Sequence, residues 1–113
     1  MHKYTVVWTD NAQYDLELII EFIKIESVSI AKEIFFEIKN ECNQLYYMPT
    51  RKRVVPELQQ IGIVQYREVL FKRWRIVFKI KESSVSVLAV IDSSRNIEDI
   101  LFQRLLKIDD DKG

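Results

Sequence analysis

Residues 3–8 are β-branched and aromatic and read as an opening strand. Thr9, Asp10 and Asn11 follow with side-chain oxygens suited to capping a helix. Ala12, Leu16, Ile19, Ile20 and Ile23 then recur at helical spacing, with Asp15, Glu17, Glu21 and Lys24 on other faces. That pattern predicts an amphipathic helix ending near Glu26. After a short break at residues 27–29, a second helix carries Ala31, Ile34, Phe35, Ile38, Cys42 and Leu45 on one stripe. It should stop before Met48 and Pro49, because proline disfavours helical geometry in the residue before it. Two long helices joined by so short a link form an antiparallel hairpin.

Beyond Pro49 the period of apolar positions drops from helical to strand-like. Residues 66–72, 75–81 and 84–92 are strand candidates. Ile76, Phe78 and Ile80 alternate with Arg75, Val77, Lys79 and Lys81, and Val85, Val87, Ala89 and Ile91 with Ser84, Ser86, Leu88 and Val90. The links between them are too short for parallel crossovers, so they are expected to form an antiparallel meander. Residues 50–65, with Pro56 and Gly62, read as a loop containing a short extended piece. Ser93, Ser94 and Asn96 are cap candidates for a last helix with Glu98 and Asp99 in its first turn, Arg104 and Lys107 in its last, and Ile97, Ile100, Leu101, Leu105 and Ile108 on its apolar stripe. The expected fold is α+β, in the order β-α-α-β-β-β-α: an antiparallel sheet packed against a helical hairpin, with a C-terminal helix.

At 113 residues the chain fits one domain, residues 1–108, followed by an acidic tail, 109–113. Cys42 is the only cysteine, which suits a reducing compartment. No secretion signal is visible at the start and no apolar run approaches the roughly 18 residues of a membrane span. The cytoplasm is the expected location and no membrane partner is expected. The net charge is zero, yet residues 51–81 hold nine Lys and Arg against only Glu57 and Glu68. The flanking segments are correspondingly acidic. Such a segment either presents a surface attractive to polyanions or spreads over a solvated sheet face.

The usual catalytic sets are missing. His2 is the only histidine and stands beside the N-terminus, where it reads as a surface residue. Ser/His/Asp catalysis therefore has no histidine to use. Cys42 falls on the buried stripe, and no spaced His, Cys and Asp set suggests a metal. The arginines remain. Arg67, Arg75 and Arg95 fall on or just after three strands, and guanidinium groups grip phosphate through paired hydrogen bonds. Converging on one concave surface, they would suit a phosphodiester transition state, with Glu57 or Glu68 as proton acceptor. The other reading is that they solubilise an exposed face.

Several segments, taken in order, carry a resemblance. They are Asp10, Asn11, Ala12, Asp15, Leu16, Ile19 and Ile20; then Val55, Pro56, Glu57 and Leu58; then Tyr66, Arg67 and Glu68; then Trp74, Arg75, Ile76, Val77, Phe78, Lys79 and Ile80. Residues 87–95, ending in Asp92, Ser93, Ser94 and Arg95, and the helix start at Ile97 complete the series. Over residues 3–107 the chain resembles the RelE/ParE superfamily of toxins from bacterial toxin–antitoxin (plasmid-stabilisation) modules. The resemblance implies a small α+β toxin neutralised by a cognate antitoxin, as a homodimer or as a heterotetramer with that antitoxin, without metal or cofactor. ParE-like members inhibit DNA gyrase by binding. RelE-like members cut mRNA on the ribosome.

On the binding reading, the surface implied is Arg67, Lys72, Arg73, Trp74, Arg75 and Arg95. On the nuclease reading, Arg67, Arg75 and Arg95 would stabilise the transition state with Glu57 as base, and the RNA 2′-hydroxyl would be the nucleophile. The chain departs from the RelE-like pattern where a tyrosine is expected about six residues past Arg95, since Leu101 and Phe102 stand there. Asp92 also occupies a place where many ParE-like chains have His. The C-terminal helix leans toward ParE, and a third reading is an inactive toxin fold that only binds its antitoxin.

Overall fold

The computed structural model describes residues 3–112, with side chains as far as residue 104. Expectations resting on His2, Leu105, Lys107, Ile108 and the acidic residues 109–113 lie outside these described residues and side chains. The elements are β1 (Thr5–Trp8), α1 (Asp10–Lys24), α2 (Val28–Asn43), β2 (Arg53–Val54), α3 (Pro56–Gln59), β3 (Tyr66–Phe71), β4 (Trp74–Lys81), β5 (Ser84–Asp92) and α4 (Ile97–Lys112). Thr9 caps α1 by accepting from Ala12 N, and Ser27 caps α2 by accepting from Ile30 N. Asn96 is the cap of α4, accepting from Asp99 N at 3.2 Å. No described helix is long and apolar enough to cross a membrane.

The five strands form one sheet in the order β1-β5-β4-β3-β2. The meander β3-β4-β5 is antiparallel, as its short turns require. The expected all-antiparallel sheet is corrected at its edge, where β1 runs parallel to β5. The residues between them, which include the helical hairpin and the other three strands, give the long connection that a parallel pair needs. Two apolar layers result. One packs Ala12, Leu16, Ile34, Ile38, Cys42 and Leu45 of the hairpin side against Val69, Trp74, Ile76 and Phe78. The other packs Ile97 and Leu101 of α4, with Val55 and Leu58, against Tyr66, Val77, Ala89 and Ile91. Burial pushes the Cys42 thiol up to about 12, so it behaves as an apolar core group.

The sequence places Val85, Val87, Ala89 and Ile91 on one face, and the structure does not. The β4–β5 register runs Ile76↔Val90, Val77↔Ala89, then Phe78↔Val87, leaving Leu88 as the extra residue of a bulge. The bulge shifts the alternation by one. Val85 and Val87 therefore face the hairpin, while Ala89 and Ile91 face α4.

The same place is where β1 ends. Thr9 gives its backbone N–H (3.1 Å) and its hydroxyl (2.9 Å) to Val87 O, and the chain then turns away into α1. Past Val87, β1 no longer pairs with β5. Asp15 of α1 accepts from Val90 N at 2.9 Å, and Arg104 of α4 donates to Leu88 O at 3.0 Å. The two side chains hold each other through paired bonds of 2.8 and 2.7 Å. Arg104 was expected in the last turn of its helix, but α4 continues past it and its guanidinium works as a clasp between layers instead. Replacing Asp15 with Ala would strand a mostly buried guanidinium and a backbone N–H together. The expected loss is about 3 kcal/mol in urea unfolding. A loss below about 0.5 kcal/mol would show that the clasp is not structural.

Candidate functional site

The arginines named from the sequence do not converge. On β3, Arg67 shares its face with Val69, which packs in the hairpin-side layer, whereas Glu68 lies on the opposite face. On β4, Arg75 shares its face with Val77, on the α4 side. Arg67 and Arg75 thus leave the sheet in opposite directions. Arg95 is exposed after the end of β5, beside Trp74 and Asp92. Arg67 stands opposite Phe78, which is about 13 Å along β4 from Trp74 at the usual rise per residue. The single concave surface expected of Arg67, Arg75 and Arg95 is therefore absent, because the pleat and the register separate them.

Arg75 is enclosed. Its Nε donates to Glu68 Oε1 at 2.7 Å, and its two terminal nitrogens grip both oxygens of Glu57 at 2.8 and 2.7 Å. Glu68 also accepts from Arg53 Nε at 2.6 Å. The register accounts for the assembly. Arg53 stands directly opposite Glu68, Arg75 stands opposite Leu70 and so lies diagonal to Glu68, and Pro56 starts α3 with Glu57 in its first turn. Two cations and two anions cancel. Glu68 is buried, and only about a tenth of the Arg75 side chain is exposed. Hydrogen bonds from Arg75, and then its charge, pull the Glu57 carboxyl down to about 2 despite the opposing effect of burial. The bonds from Glu57 in turn push the guanidinium of Arg75 further up. A carboxylate held so far down is a weak proton acceptor at neutral pH.

Lys72, Arg73 and Trp74 were also expected to bind. Lys72 pairs with Glu37 at 3.3 Å, and Arg73 with Asp92 at 2.7 Å. Trp74 is buried in the hairpin-side layer. The N–H and hydroxyl of Ser94, and then Arg73, hold the Asp92 carboxyl below its usual range. At the position where a tyrosine would be expected, Leu101 is buried against the sheet and Phe102 is partly exposed.

Among the described residues, one concave feature is a groove of about 570 Å³ between α1 and the Trp74 end of the sheet. Leu18, Ile19, Phe22 and Ile23 form one wall, Trp74 and Val90 the other, and Arg73, Asp92 and Arg95 the polar rim. Ile19 and Ile23 were read from the sequence as part of the apolar stripe of α1, whereas Leu18 and Phe22 were missed. Leu18, Phe22 and Ile25 are 52, 75 and 82 % exposed, and Tyr14 begins the same stripe one turn earlier. The signal was present: positions 14, 18, 22 and 25 repeat at helical spacing as a second apolar stripe. An exposed stripe of this kind marks a docking surface.

In the comparisons, the sequence model of the family described as "ParE toxin of type II toxin-antitoxin system, parDE" matches residues 6–97. No curated protein matches. Among solved structures, a chain of the chromosomal ParDE TA system from P. aeruginosa is similar with a TM-score of 0.67 at 16 % identity. The match covers 81 % of this chain and 98 % of that one. A chain of the toxin–antitoxin complex RelBE2 from Mycobacterium tuberculosis is similar with a TM-score of 0.55 at 18 % identity, covering 81 % and 93 %. At these identities the structural likeness speaks to the fold.

The Glu57–Arg75 contact sets an acid limb for stability. Its native carboxyl titrates at about 2, against 4.5 as the ordinary value. The folded state therefore keeps the charge after the unfolded chain has taken up a proton. The contribution is whole above pH 4.5 and disappears as pH falls toward about 2. Glu57→Gln should destabilise the protein by about 1–2 kcal/mol at neutral pH. The gap between variant and parent should close across that acid window in urea titrations. A gap independent of pH would remove the ion pair from the explanation.

Proposed function

The chain belongs to the ParE toxin family of type II toxin–antitoxin systems, and we propose that it stops growth by binding DNA gyrase, not by cutting RNA. The observation that carries this reading is the enclosure of Arg75. A metal-independent ribonuclease needs guanidinium groups aimed at one phosphate, a competent base and an acid for the leaving oxygen. Here Arg75 spends its donors on Glu57 and Glu68, and Glu57 has a depressed pKa. Arg67 and Arg95 point elsewhere, and Leu101 and Phe102 offer no proton. What the surface does offer is an apolar groove and an unpartnered helical stripe, features suited to protein contact.

A cognate antitoxin is the partner the family brings with it, and the groove beside α1 is where we place its inhibitory segment. Leu18 and Phe22 would receive the apolar face of an amphipathic stretch, and Arg73 and Arg95 at the rim would favour acidic residues beside it. Burying one large exposed side chain such as Phe22 is worth about 1.5–3 kcal/mol.

Two measurements test the reading. Purified toxin should block supercoiling by gyrase, while mRNA on translating ribosomes stays intact after induction. A-site cuts together with undisturbed supercoiling would reverse the assignment. Phe22→Glu, at a solvent-facing position, should leave the unfolding midpoint nearly unchanged and weaken antitoxin binding about 30-fold in calorimetry, equivalent to about 2 kcal/mol. Unchanged antitoxin affinity would place the inhibitory segment on another surface.

A further inference from the structure

The basic stretch at residues 51–81 is mostly unused by this reading, and the structure sorts its nine cations. Arg53, Lys72, Arg73 and Arg75 have carboxylate partners. Arg51, Lys52, Arg67, Lys79 and Lys81 have none among the described residues. Arg67, Lys79 and Lys81 lie toward the end of β3 and β4 remote from Trp74. Arg67 Nη1 donates to Lys52 O at 2.6 Å, which gathers Arg51, Lys52 and Arg67 at the β2–β3 edge. Tyr66 pairs with Lys79 at the same end of β3 and β4, and Lys81 ends the latter strand. Two carboxylates are close by in the fold: Glu41, which lines the cleft holding Arg51 and Lys52, and Glu82, in the turn after Lys81. The balance there remains clearly positive.

We propose that this end of the sheet binds the phosphate backbone of duplex DNA without reading its sequence. Lys and Arg without carboxylate partners release counterions from a polyphosphate when they neutralise it, which is the main source of sequence-independent affinity. Here Arg51, Lys52 and Lys81 are exposed, and Arg67 and Lys79 are half-buried. The arrangement favours a duplex over a single strand because the charges straddle the sheet. Arg67 leaves it on the hairpin side, while Lys79 and Lys81 share the opposite face with Arg75 and Val77. A ridge charged on both flanks meets two rows of phosphates better than a slot for one strand would.

This proposal does not depend on gyrase, and its test contains none. Fluorescence anisotropy of a labelled duplex with the isolated full chain should give a log–log salt slope of about −4 to −5, as about five phosphate contacts require. Lys52→Glu with Lys81→Glu should flatten that slope by about 2 and weaken binding at least about 10-fold. The control pair Lys24→Glu with Lys32→Glu makes the same change in net charge at the hairpin tip, and should stay within about threefold of the parent. All four lysines carry little or no tertiary packing, so folding is not at stake. Equal losses in the two pairs would reduce the effect to net charge and overturn the proposal. So would tighter binding of a single strand than of the duplex, or displacement of the duplex by polyglutamate at equal charge.

Discussion

The clasp of Asp15 and Arg104 around the edge of β5 is the contact on which the rest of the architecture rests. A sheet edge leaves backbone groups unpaired, and this one is abandoned by its neighbour at Val87. Side chains from α1 and α4 take over, satisfying Val90 N and Leu88 O. Because α1 belongs to the hairpin layer and α4 to the layer beneath, the same ion pair ties both layers to the strand between them. Leu88 bulges at this point, and the bulge turns Ala89 and Ile91 toward α4. Without that shift the second apolar layer would lose two of its central strand residues.

Charge is distributed by the same strands. Arg53, Arg67, Glu68 and Arg75 sit among apolar residues on β2, β3 and β4, so register decides which of them meet. Arg53, Glu68, Arg75 and Glu57 meet and cancel, and the cluster ties β2 and the short α3 onto the central strands. Such a cluster is retained at a desolvation cost that apolar residues would avoid. Its return is that it fixes the position of a segment with little regular structure of its own. Within residues 51–81, the cations with no carboxylate partner among the described residues do not line the groove.

The molecule therefore has two surfaces of different character. At one end the α1 stripe and the groove beside Trp74 are apolar, with Arg73, Asp92 and Arg95 at the rim. At the other, Arg51, Lys52, Lys79 and Lys81 offer charge, with the exposed rings of Tyr46 and Tyr47 lining the cleft beside Arg51 and Lys52. Separation across a sheet of five strands lets the two surfaces be occupied independently.

Local pattern was enough to determine the order of the main elements, the helical hairpin and the meander, and to offer Thr9 and Asn96 among the cap candidates, because each depends on residues within a turn or two of one another. The short helix α3, in residues read as a loop, was not legible. It was also enough to place Cys42 in the core and to identify residues 51–81 as basic. The parallel pairing of β1 with β5 was not legible, since residues about 80 positions apart must meet and no local signal states the direction. The clasp between Asp15 and Arg104, 89 residues apart, was hidden for the same reason. Nor could the sequence tell paired arginines from free ones: Arg67 and Arg75 look alike along the chain, and only the pleat and the register send one to solvent and the other between two carboxylates. The bulge at Leu88 had the same effect on Ala89 and Ile91, because one added residue reverses every side chain that follows it.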